Sequence, residues 1–441
     1  MSKKIRDYIF FIFVLSFIVG TTIISLYASG YKFNLSWPPH ISRLLIRTGM
    51  IVVDSAPRGA TIYLNDKPAA SFSLNPWSKQ YLTTAAKVKN VLPGEYTLKL
   101  ERDGYWPLSK KISVYSGQTT FAENINLFRD DLPFFITAAT TSEIALSANY
   151  KYLYIAGPGK IITLKNNEEK TLPLNGRGRW LKNQDQILVK GWLFPVDKTA
   201  GINYSQTIGA GANNWYYEEN TKRLYYQNDS LIAYLEADSQ MSHLVLSGGR
   251  YLAYEPHGDS LFYVAAESGQ TILKKYSLKN QATEQQMILP NVGHYLFSPD
   301  GRPFITLYDD QNKTLYLINP ENLAGGSRTI NNIISWAWLD DNTLVYNNNW
   351  EIYLFDLRQN SASLLTRVGE EIRQIIWNSR NDYLIFSTDS GLNVYDLKIG
   401  LITKIFQAEK IGSPVLDDKN GTLYFWAKIG KQEGIYSLLL Q

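Results

Sequence analysis

The segment DYLIFSTDSGLNVYDLKIG, residues 382–400, shows the pattern that decides the fold of this chain. A run of apolar, β-prone residues is followed by a tight polar turn, and a second β-prone run follows the turn. This pattern predicts two antiparallel strands joined by a hairpin. The same pattern recurs along most of the chain, so the repeat as a whole predicts the fold.

Eight segments with this pattern lie between residue 150 and the end of the sequence. They start near residues 151, 185, 223, 250, 303, 342, 382 and 421, with a mean spacing of just under 40 residues. A period of about 40 residues built from alternating strands is typical of a β-propeller with four strands in each blade. Because the spacing between 223 and 250 is short for a full blade, the sequence predicts either seven or eight blades.

Several repeats also begin alike, with an apolar residue, a polar turn and an apolar strand. The segments are FSPDGRPFITL (297–307), WLDDNTLVY (338–346), WNSRNDYLIF (377–386) and LDDKNGTLYFW (416–426). They resemble the WD40-like repeats of TolB-type propellers, and SPDG at 298–301 is the nearest match. The resemblance implies a propeller over residues 130–441.

A propeller ring must be sealed, commonly by a blade that takes strands from both ends of the domain, because open strand edges promote aggregation. The last hairpin runs to the end of the sequence and leaves no residues for a further outer strand. The segment FFITAATTSEIALS, which begins at residue 134, is β-prone and precedes the first repeat. We therefore expect residues around 133–140 to pair in the same blade as residues 421–440.

The N-terminal part of the chain predicts a single-pass membrane anchor. Residues 8–31 contain no charged side chain, and a helix of this length spans about 36 Å, which exceeds a hydrocarbon core of about 30 Å. Lys3, Lys4 and Arg6 outweigh Asp7, which places residues 1–7 in the cytoplasm and the rest of the protein outside. A cleavable signal peptide is the alternative, but its apolar region would be unusually long.

A small β-rich module is predicted between this anchor and the repeats. The segment VDSAPRGATIYLND, residues 53–66, places a Pro-Arg-Gly-Ala turn between two strands, and LPGEYTLKLERDGY, residues 92–105, places a Pro-Gly turn before an alternating strand. Both segments resemble the PEGA domain, which implies an extracytoplasmic β-sandwich of microbial envelopes and supplies no catalytic residues. Arg58 stands where the family has Glu, at a turn corner that we expect to be exposed.

The chain is therefore expected to be an all-β protein with an N-terminal transmembrane helix. Its predicted parts are a cytoplasmic tip (1–7), a transmembrane helix (8–31), a juxtamembrane linker (32–49), a PEGA-like β-sandwich (50–128) and a β-propeller (130–441).

Composition excludes several classes of function. The net charge is only +4 and the body of the chain has no dense basic run, so no nucleic-acid partner is expected. The chain has no cysteine, which excludes disulfides, thiolate metal sites and cysteine nucleophiles.

No catalytic, cofactor or metal site is predicted. The four histidines, His40, His243, His257 and His294, show no paired metal spacing, and His257 in EPHGDS is interpreted as part of a polar turn. The loop GAGANN (209–214) lacks the strand and helix of a phosphate-binding site, and DDKNG (417–421) lacks the spaced ligands of a calcium loop. The acidic pairs at 309–310, 340–341 and 417–418 are interpreted as turn residues.

These observations predict a non-enzymatic bacterial envelope protein that is anchored in the membrane and uses a propeller to bind a protein, peptide or glycan. The ligand-binding residues are unknown at this stage. Two alternatives stay open: a hydrolase or lyase of envelope polymers with acidic residues in the propeller funnel, and a structural subunit of a surface layer.

Overall fold

A computed structural model describes residues 3–33, 45–71, 80–198, 200–208, 211–228, 230–298 and 303–441. Most of the predicted linker, including His40, lies outside these residues, as do residues 299–301 of the SPDG turn. Contacts divide the chain into two compact units. The first unit comprises Met1–Asp131, Asp396–Ile405 and Gln441, and the second comprises Leu132–Tyr395 and Phe406–Leu440.

The first unit begins with one long α-helix, Lys3–Ala28. Its segment Ile5–Ala28 has 24 residues and is long and apolar enough to cross a membrane, and none of it is buried within the protein. Large side chains such as Phe10, Phe13 and Ile24 are accordingly exposed around the helix. The helix is consistent with a membrane anchor or with a signal sequence. A two-stranded sheet, Tyr31–Phe33 paired with Leu45–Arg47, follows it.

Two further sheets of the first unit share an apolar core. One sheet has the strand order Ala86–Val91, Gly49–Ala56, Thr119–Asn126, and its last two strands are parallel. The other has the order Lys67–Pro68, Thr61–Leu64, Gly94–Glu101, Leu108–Val114. Alternate residues of these strands point inwards, as they do in a sheet with one buried face.

The core of this sandwich contains fully buried aliphatic side chains such as Ile51, Ile62 and Leu98. Arg58, by contrast, lies on the surface at the turn after Ala56, where its guanidinium is 3.1 Å from the carboxylate of Asp54. The prediction that Arg58 occupies an exposed turn corner is confirmed.

The second unit is a β-propeller, as the repeats predicted. The described residues between 134 and 439 form eight antiparallel sheets, which we call blades 1–8 in chain order. First strands of several neighbouring blades contact each other, so they lie nearest the ring axis.

The strands of blades 1–4, each given from the first strand outwards, are as follows. Blade 1 has Ile144–Leu146, Tyr152–Ile155, Lys160–Thr163 and Glu168–Thr171. Blade 2 has Gly178–Trp180, Gln186–Val189, Trp192–Pro195 and Ile202–Asn203, followed by a one-turn helix, Ser205–Ile208. Blade 3 has Asn213–Glu218, Arg223–Asn228, Leu231–Glu236 and Ser242–Ser247. Blade 4 has Arg250–His257, Ser260–Glu267, Gln270–Ser277 and Ala282–Leu289.

Blades 5–8 follow the same plan. Blade 5 has Tyr295–Ser298, Ile305–Asp309, Thr314–Ile318 and Arg328–Ile330. Blade 6 has Ser335–Trp338, Thr343–Asn347, Glu351–Asp356 and Ser361–Arg367. Blade 7 has Gln374–Asn378, Tyr383–Ser387, Gly391–Asp396 and Leu401–Gln407. Blade 8 has Lys410–Ile411 and Val415–Asp417, which both pair with Thr422–Ile429, then Gln432–Leu439 and Phe134–Ala138.

The short spacing in the sequence repeat now has a structural explanation. The hairpin that starts at residue 250 consists of the first and second strands of blade 4, whereas the other seven hairpins consist of second and third strands. The hairpin of blade 4 that corresponds to the other seven begins at Ser260. With this assignment every repeat is a full blade, and the described residues form eight blades.

The predicted ring closure is confirmed. Phe134–Ala138 pairs antiparallel with Gln432–Leu439, so blade 8 takes its outer strand from the beginning of the domain. Trp426 of this blade donates a hydrogen bond of 2.7 Å from its indole nitrogen to the carbonyl oxygen of Ala139. Apolar side chains of blade 8, including Trp426 and Ile435, then pack against Leu153 and other residues of blade 1.

Buried tyrosines predict how the protein responds to alkaline pH. Burial raises the pKa of Tyr154, Tyr225, Tyr308 and Tyr424 to about 12. An exposed tyrosine in the unfolded chain has a pKa of about 10. As the pH rises, the unfolded state therefore loses these protons first. The contribution of the buried tyrosines to the free energy of unfolding should be constant below about pH 10 and should decrease as the pH rises toward 12.

Denaturant unfolding at successive alkaline pH values, with phenolate absorbance recorded in parallel, tests this expectation. Burial-dependent ionisation predicts that these phenolates appear together with the loss of folded structure. Complete ionisation of all tyrosines near pH 10 in a still folded protein would contradict it.

Candidate functional site

A cavity of about 850 Å³ lies on the propeller at blades 2 and 3. Three basic residues line it: Arg177, Arg179 and Lys190. We call this cavity the blade 2–3 pocket. Its volume lies within the range of roughly 300–1,000 Å³ that is usual for small-ligand sites.

The elements that form the pocket meet at one end of the ring. Arg177 directly precedes the first strand of blade 2, and Lys190 lies in the turn between its second and third strands. In a four-stranded meander the start of the first strand and the turn between strands two and three lie at the same end. The beginning of Asn213–Glu218, the first strand of blade 3, completes this side of the pocket.

Neutral polar side chains line the remainder of the pocket, together with one tryptophan. The polar side chains belong to Ser205, Gln206, Asn213 and Asn214. Hydroxyl and amide groups of this kind can both donate and accept hydrogen bonds. Trp215 is the aromatic member of the described lining.

Glycines allow close packing at two positions around the pocket. A Cβ atom at Gly191 would lie 2.7 Å from an atom of the Trp215 ring, so the indole rests directly against this backbone. The ring centroid of Trp215 is also 5.7 Å from that of Tyr226. A Cβ atom at Gly178 would lie 2.5 Å from the ring of Tyr154, which leaves no room for any larger residue.

Hydrogen bonds hold the first strand of blade 3 in position. The hydroxyl of Tyr254 donates to the carbonyl oxygen of Asn214. The side-chain amide of Asn214 donates to the Gln227 side chain at 3.2 Å, and Gln227 in turn donates to the carbonyl oxygen of Tyr251 at 2.6 Å. Because Gln227 and Tyr254 are buried, this side of the pocket is pre-organised.

The electrostatic character of the blade 2–3 pocket is cationic. No acidic residue is among its described lining residues. Arg179 is half-buried, and its guanidinium carbon lies 4.2 Å from the ring centroid of Tyr216. Burial raises the pKa of Tyr216, although the charge of Arg179 acts in the opposite direction. Glu255 lines a neighbouring cavity together with Arg179 and Tyr216, and its charge also raises the pKa of Tyr216.

Arg177 has one acidic neighbour outside this lining. Its Nε atom lies 3.1 Å from Oε1 of Glu143, and both side chains are largely exposed, at 83% and 49%. An exposed ion pair of this kind contributes little net energy, so a ligand anion can compete with Glu143. A second cavity of about 350 Å³ shares Arg177 with the blade 2–3 pocket and is also lined by Glu143.

One carboxylate of each acidic pair lies in a turn, as the sequence predicted. Asp309 and Asp417 are buried, and each lies at the end of a strand. Each carboxylate accepts hydrogen bonds from the backbone amides two and three residues later, at 3.2 Å for Asp309 and 3.0 Å for Asp417. The amide of Asn342 donates to Asp340 at 2.7 Å and lowers the pKa of that carboxyl. Each of these three carboxylates stabilises a local turn.

The histidines of the described chain lie apart from the blade 2–3 pocket. His257 is exposed at the end of a strand, next to the turn that the sequence predicted. His294 is 2.9 Å from Asp310, and the ring of His243 stacks on Tyr234 at a centroid distance of 4.9 Å. Within the residues that the structure describes, no group of three His, Asp or Glu side chains could hold a metal ion.

The interpretation of residues 209–214 as a loop needs a correction. Asn213 and Asn214 belong to the first strand of blade 3, and Gly211 and Ala212 lie just before it, while 209–210 are outside the described residues. The beginning of this strand was not predicted, because Asn has a low propensity for β-structure. Sequence reasoning therefore missed the pocket, although the basic residues at 177 and 179 and the nearby tryptophan were a usable signal.

One known family matches the chain, over the β-sandwich of the first unit. Residues 48–127 match the family model described as PEGA domain, which confirms the resemblance seen in the sequence. A crystal structure of RRP9 WD40 repeats aligns with 70% of this chain and 97% of its own, at 8% identity and a TM-score of 0.43. A structure of the Dos1 propeller aligns with 58% of this chain and 77% of its own, at 12% identity and a TM-score of 0.43.

A structure titled oligogalacturonate lyase in complex with manganese aligns with 57% of this chain and 82% of its own, at 12% identity and a TM-score of 0.39. The comparison with curated proteins found no match. The protein thus combines an apolar N-terminal helix, a PEGA domain and a β-propeller. This combination suggests a binding or scaffold role.

Proposed function

We propose that this protein is a single-pass membrane protein of the bacterial cell envelope that binds a ligand outside the cytoplasm without catalysing a reaction. The observation that carries the proposal is the blade 2–3 pocket, a pre-organised cavity at one end of a propeller. Its basic, neutral polar and aromatic side chains offer ionic, hydrogen-bonding and ring contacts to a ligand. The apolar helix Ile5–Ala28 supports the anchor.

The alternative of a hydrolase or lyase has less support. Such an enzyme needs carboxylates that face a substrate across the funnel. Asp309 and Asp417, the buried members of the acidic pairs, instead accept hydrogen bonds from the backbone amides of their own turns.

The binding role can be tested by incubating fractions of the cell envelope with the full-length protein in detergent micelles and measuring what the protein retains. We expect a saturable ligand that is retained by the wild-type protein and recovered unmodified after prolonged incubation. Conversion of the retained ligand would contradict a non-enzymatic role, and the absence of any retained envelope component would contradict binding itself.

The proposed topology makes a separate prediction. Lys3, Lys4 and Arg6 precede the apolar helix, so the folded units should lie outside the cytoplasmic membrane. External protease added to intact cells with a permeabilised wall should degrade the folded units and leave a small membrane-embedded fragment. A cytoplasmic marker protein serves as the control for membrane integrity. If the full-length protein survives in these cells but is degraded after the cells are lysed, the folded units lie in the cytoplasm and the proposed topology is wrong.

A further inference from the structure

We infer that the blade 2–3 pocket binds an anionic saccharide, which is a polyhydroxylated ligand that carries carboxylate or phosphate groups. This inference rests on the proposed binding function and specifies the chemistry of its ligand. The lining has three parts that point to this class: basic residues, neutral hydrogen-bonding side chains and one tryptophan.

The charges select for an anion. Arg177, Arg179 and Lys190 all line one cavity, and its described lining contains no carboxylate. Guanidinium groups bind carboxylates and phosphates through paired, charge-assisted hydrogen bonds. The stacking of Arg179 on Tyr216 fixes the position of one such group before a ligand arrives.

The neutral side chains select for hydroxyl groups. Gln206 and Asn213 have side-chain amides that can donate and accept. Asn214 donates one amide hydrogen to Gln227 and keeps a second hydrogen and its carbonyl oxygen. The Ser205 hydroxyl donates to Asn203 and can still accept. Sugar hydroxyls also donate and accept, so a hydroxyl-rich ligand can satisfy this set without leaving unpaired polar groups.

The same lining argues against a peptide ligand. Peptide recognition commonly uses apolar pockets that receive side chains, or clusters of arginine that bind acidic motifs. Apart from Trp215, the apolar side chains of the described lining are only Leu188 and Ala212. An acidic peptide would use the basic residues alone, whereas a hydroxyl-rich anion also matches the neutral polar side chains, so it fits the pocket better.

A substitution of Glu143 should increase the affinity for an anionic ligand, whereas substitutions of the basic residues should decrease it. Its carboxylate lies 3.1 Å from Arg177 and competes with a ligand anion for that guanidinium. Glu143→Gln should therefore tighten the binding of an anionic saccharide by about two- to threefold, as expected for removal of an exposed ion pair.

The experiment measures equilibrium binding of four defined probes to the full-length protein in detergent micelles. The probes are a uronate hexasaccharide, a glycerol-phosphate oligomer, a neutral gluco-hexasaccharide and a hexaglutamate peptide. We expect one or both of the anionic, hydroxyl-rich probes to bind at least about tenfold more tightly than the neutral sugar and the peptide, and to weaken as salt is added. The first two probes distinguish carboxylate from phosphate as the preferred anion.

Variants locate this binding. Arg177→Gln combined with Lys190→Gln should weaken the preferred anionic probe by about tenfold or more. Lys279→Gln is the matched control, because Lys279 is exposed in the turn between the third and fourth strands of blade 4. It should leave affinity unchanged, and equal melting temperatures should show that all variants fold.

Several results would overturn the inference. Equal binding of the neutral sugar would show that charge does not select the ligand, and preferential binding of hexaglutamate would identify a peptide site. If envelope material still binds the protein while none of the saccharide probes does, or if the Arg177/Lys190 variant retains full affinity, the inference fails and the proposed function stands. If envelope material does not bind either, both fail.

Discussion

Removal of the last seven residues, Ile435 to Gln441, is expected to unfold the whole propeller cooperatively instead of fraying one end. These residues form most of the strand Gln432–Leu439, which pairs with Thr422–Ile429 on one side and Phe134–Ala138 on the other. The deletion would therefore open the ring at its seam and leave two unpaired strand edges.

The energetic loss is large on the scale of domain stability. Ile435, Tyr436, Leu438 and Leu440 are each at most 3% exposed. Burial of one such side chain contributes about 1.5–3 kcal/mol, whereas an entire domain is stable by about 5–15 kcal/mol. The four losses together are comparable to the whole free energy of unfolding.

Thermal melting and hydrogen exchange would measure this effect. Blade 4, which lies away from the seam, should lose its exchange protection together with blade 8. Ile435→Ala should destabilise the propeller by about 2–5 kcal/mol, and Glu433→Ala, an exposed position in the same strand, should cost less than about 1 kcal/mol. A truncated protein that melts like the wild type, or that loses protection only in blade 8, would disprove ring closure as the source of stability.

Gly159→Ala is expected to be the most damaging single methyl addition in blade 1. Gly159 lies in the turn between Tyr152–Ile155 and Lys160–Thr163 and has a φ of +65°. An added Cβ atom would lie 2.3 Å from the backbone carbonyl oxygen of Leu174. Because that neighbour is backbone, it cannot rotate away as a side chain could. We expect a loss of about 3 kcal/mol or more in the free energy of unfolding.

Gly258→Ala is the matched control for this substitution. Gly258 has nearly the same backbone conformation, with a φ of +60°, but no atom lies within 4 Å of its added Cβ. The left-handed conformation alone should cost about 1–2 kcal/mol. Denaturant unfolding of both variants separates the steric term from the conformational one. Equal losses in the two variants would show that the turn of blade 1 adapts to the extra methyl group.

The sequence determined most of the architecture, because strand and turn signals are local. The alternation of β-prone runs with polar turns specifies hairpins, and their spacing of nearly 40 residues specifies blades. The Pro-Arg-Gly-Ala turn at 57–60 identified the PEGA domain in the same way. Ring closure was also predictable, since a β-prone segment that begins at Phe134 precedes the first repeat.

Only the tertiary structure decided the blade number and the position of the pocket. The hairpin at 250 has the same local pattern as its neighbours, and only its strand pairing shows that it begins one strand earlier in its blade. Likewise, Arg177, Lys190 and Asn214 belong to separate strands and turns, and no local pattern relates them. Hairpins arise from interactions between residues near in sequence, whereas a binding pocket depends on how distant side chains converge when blades pack together.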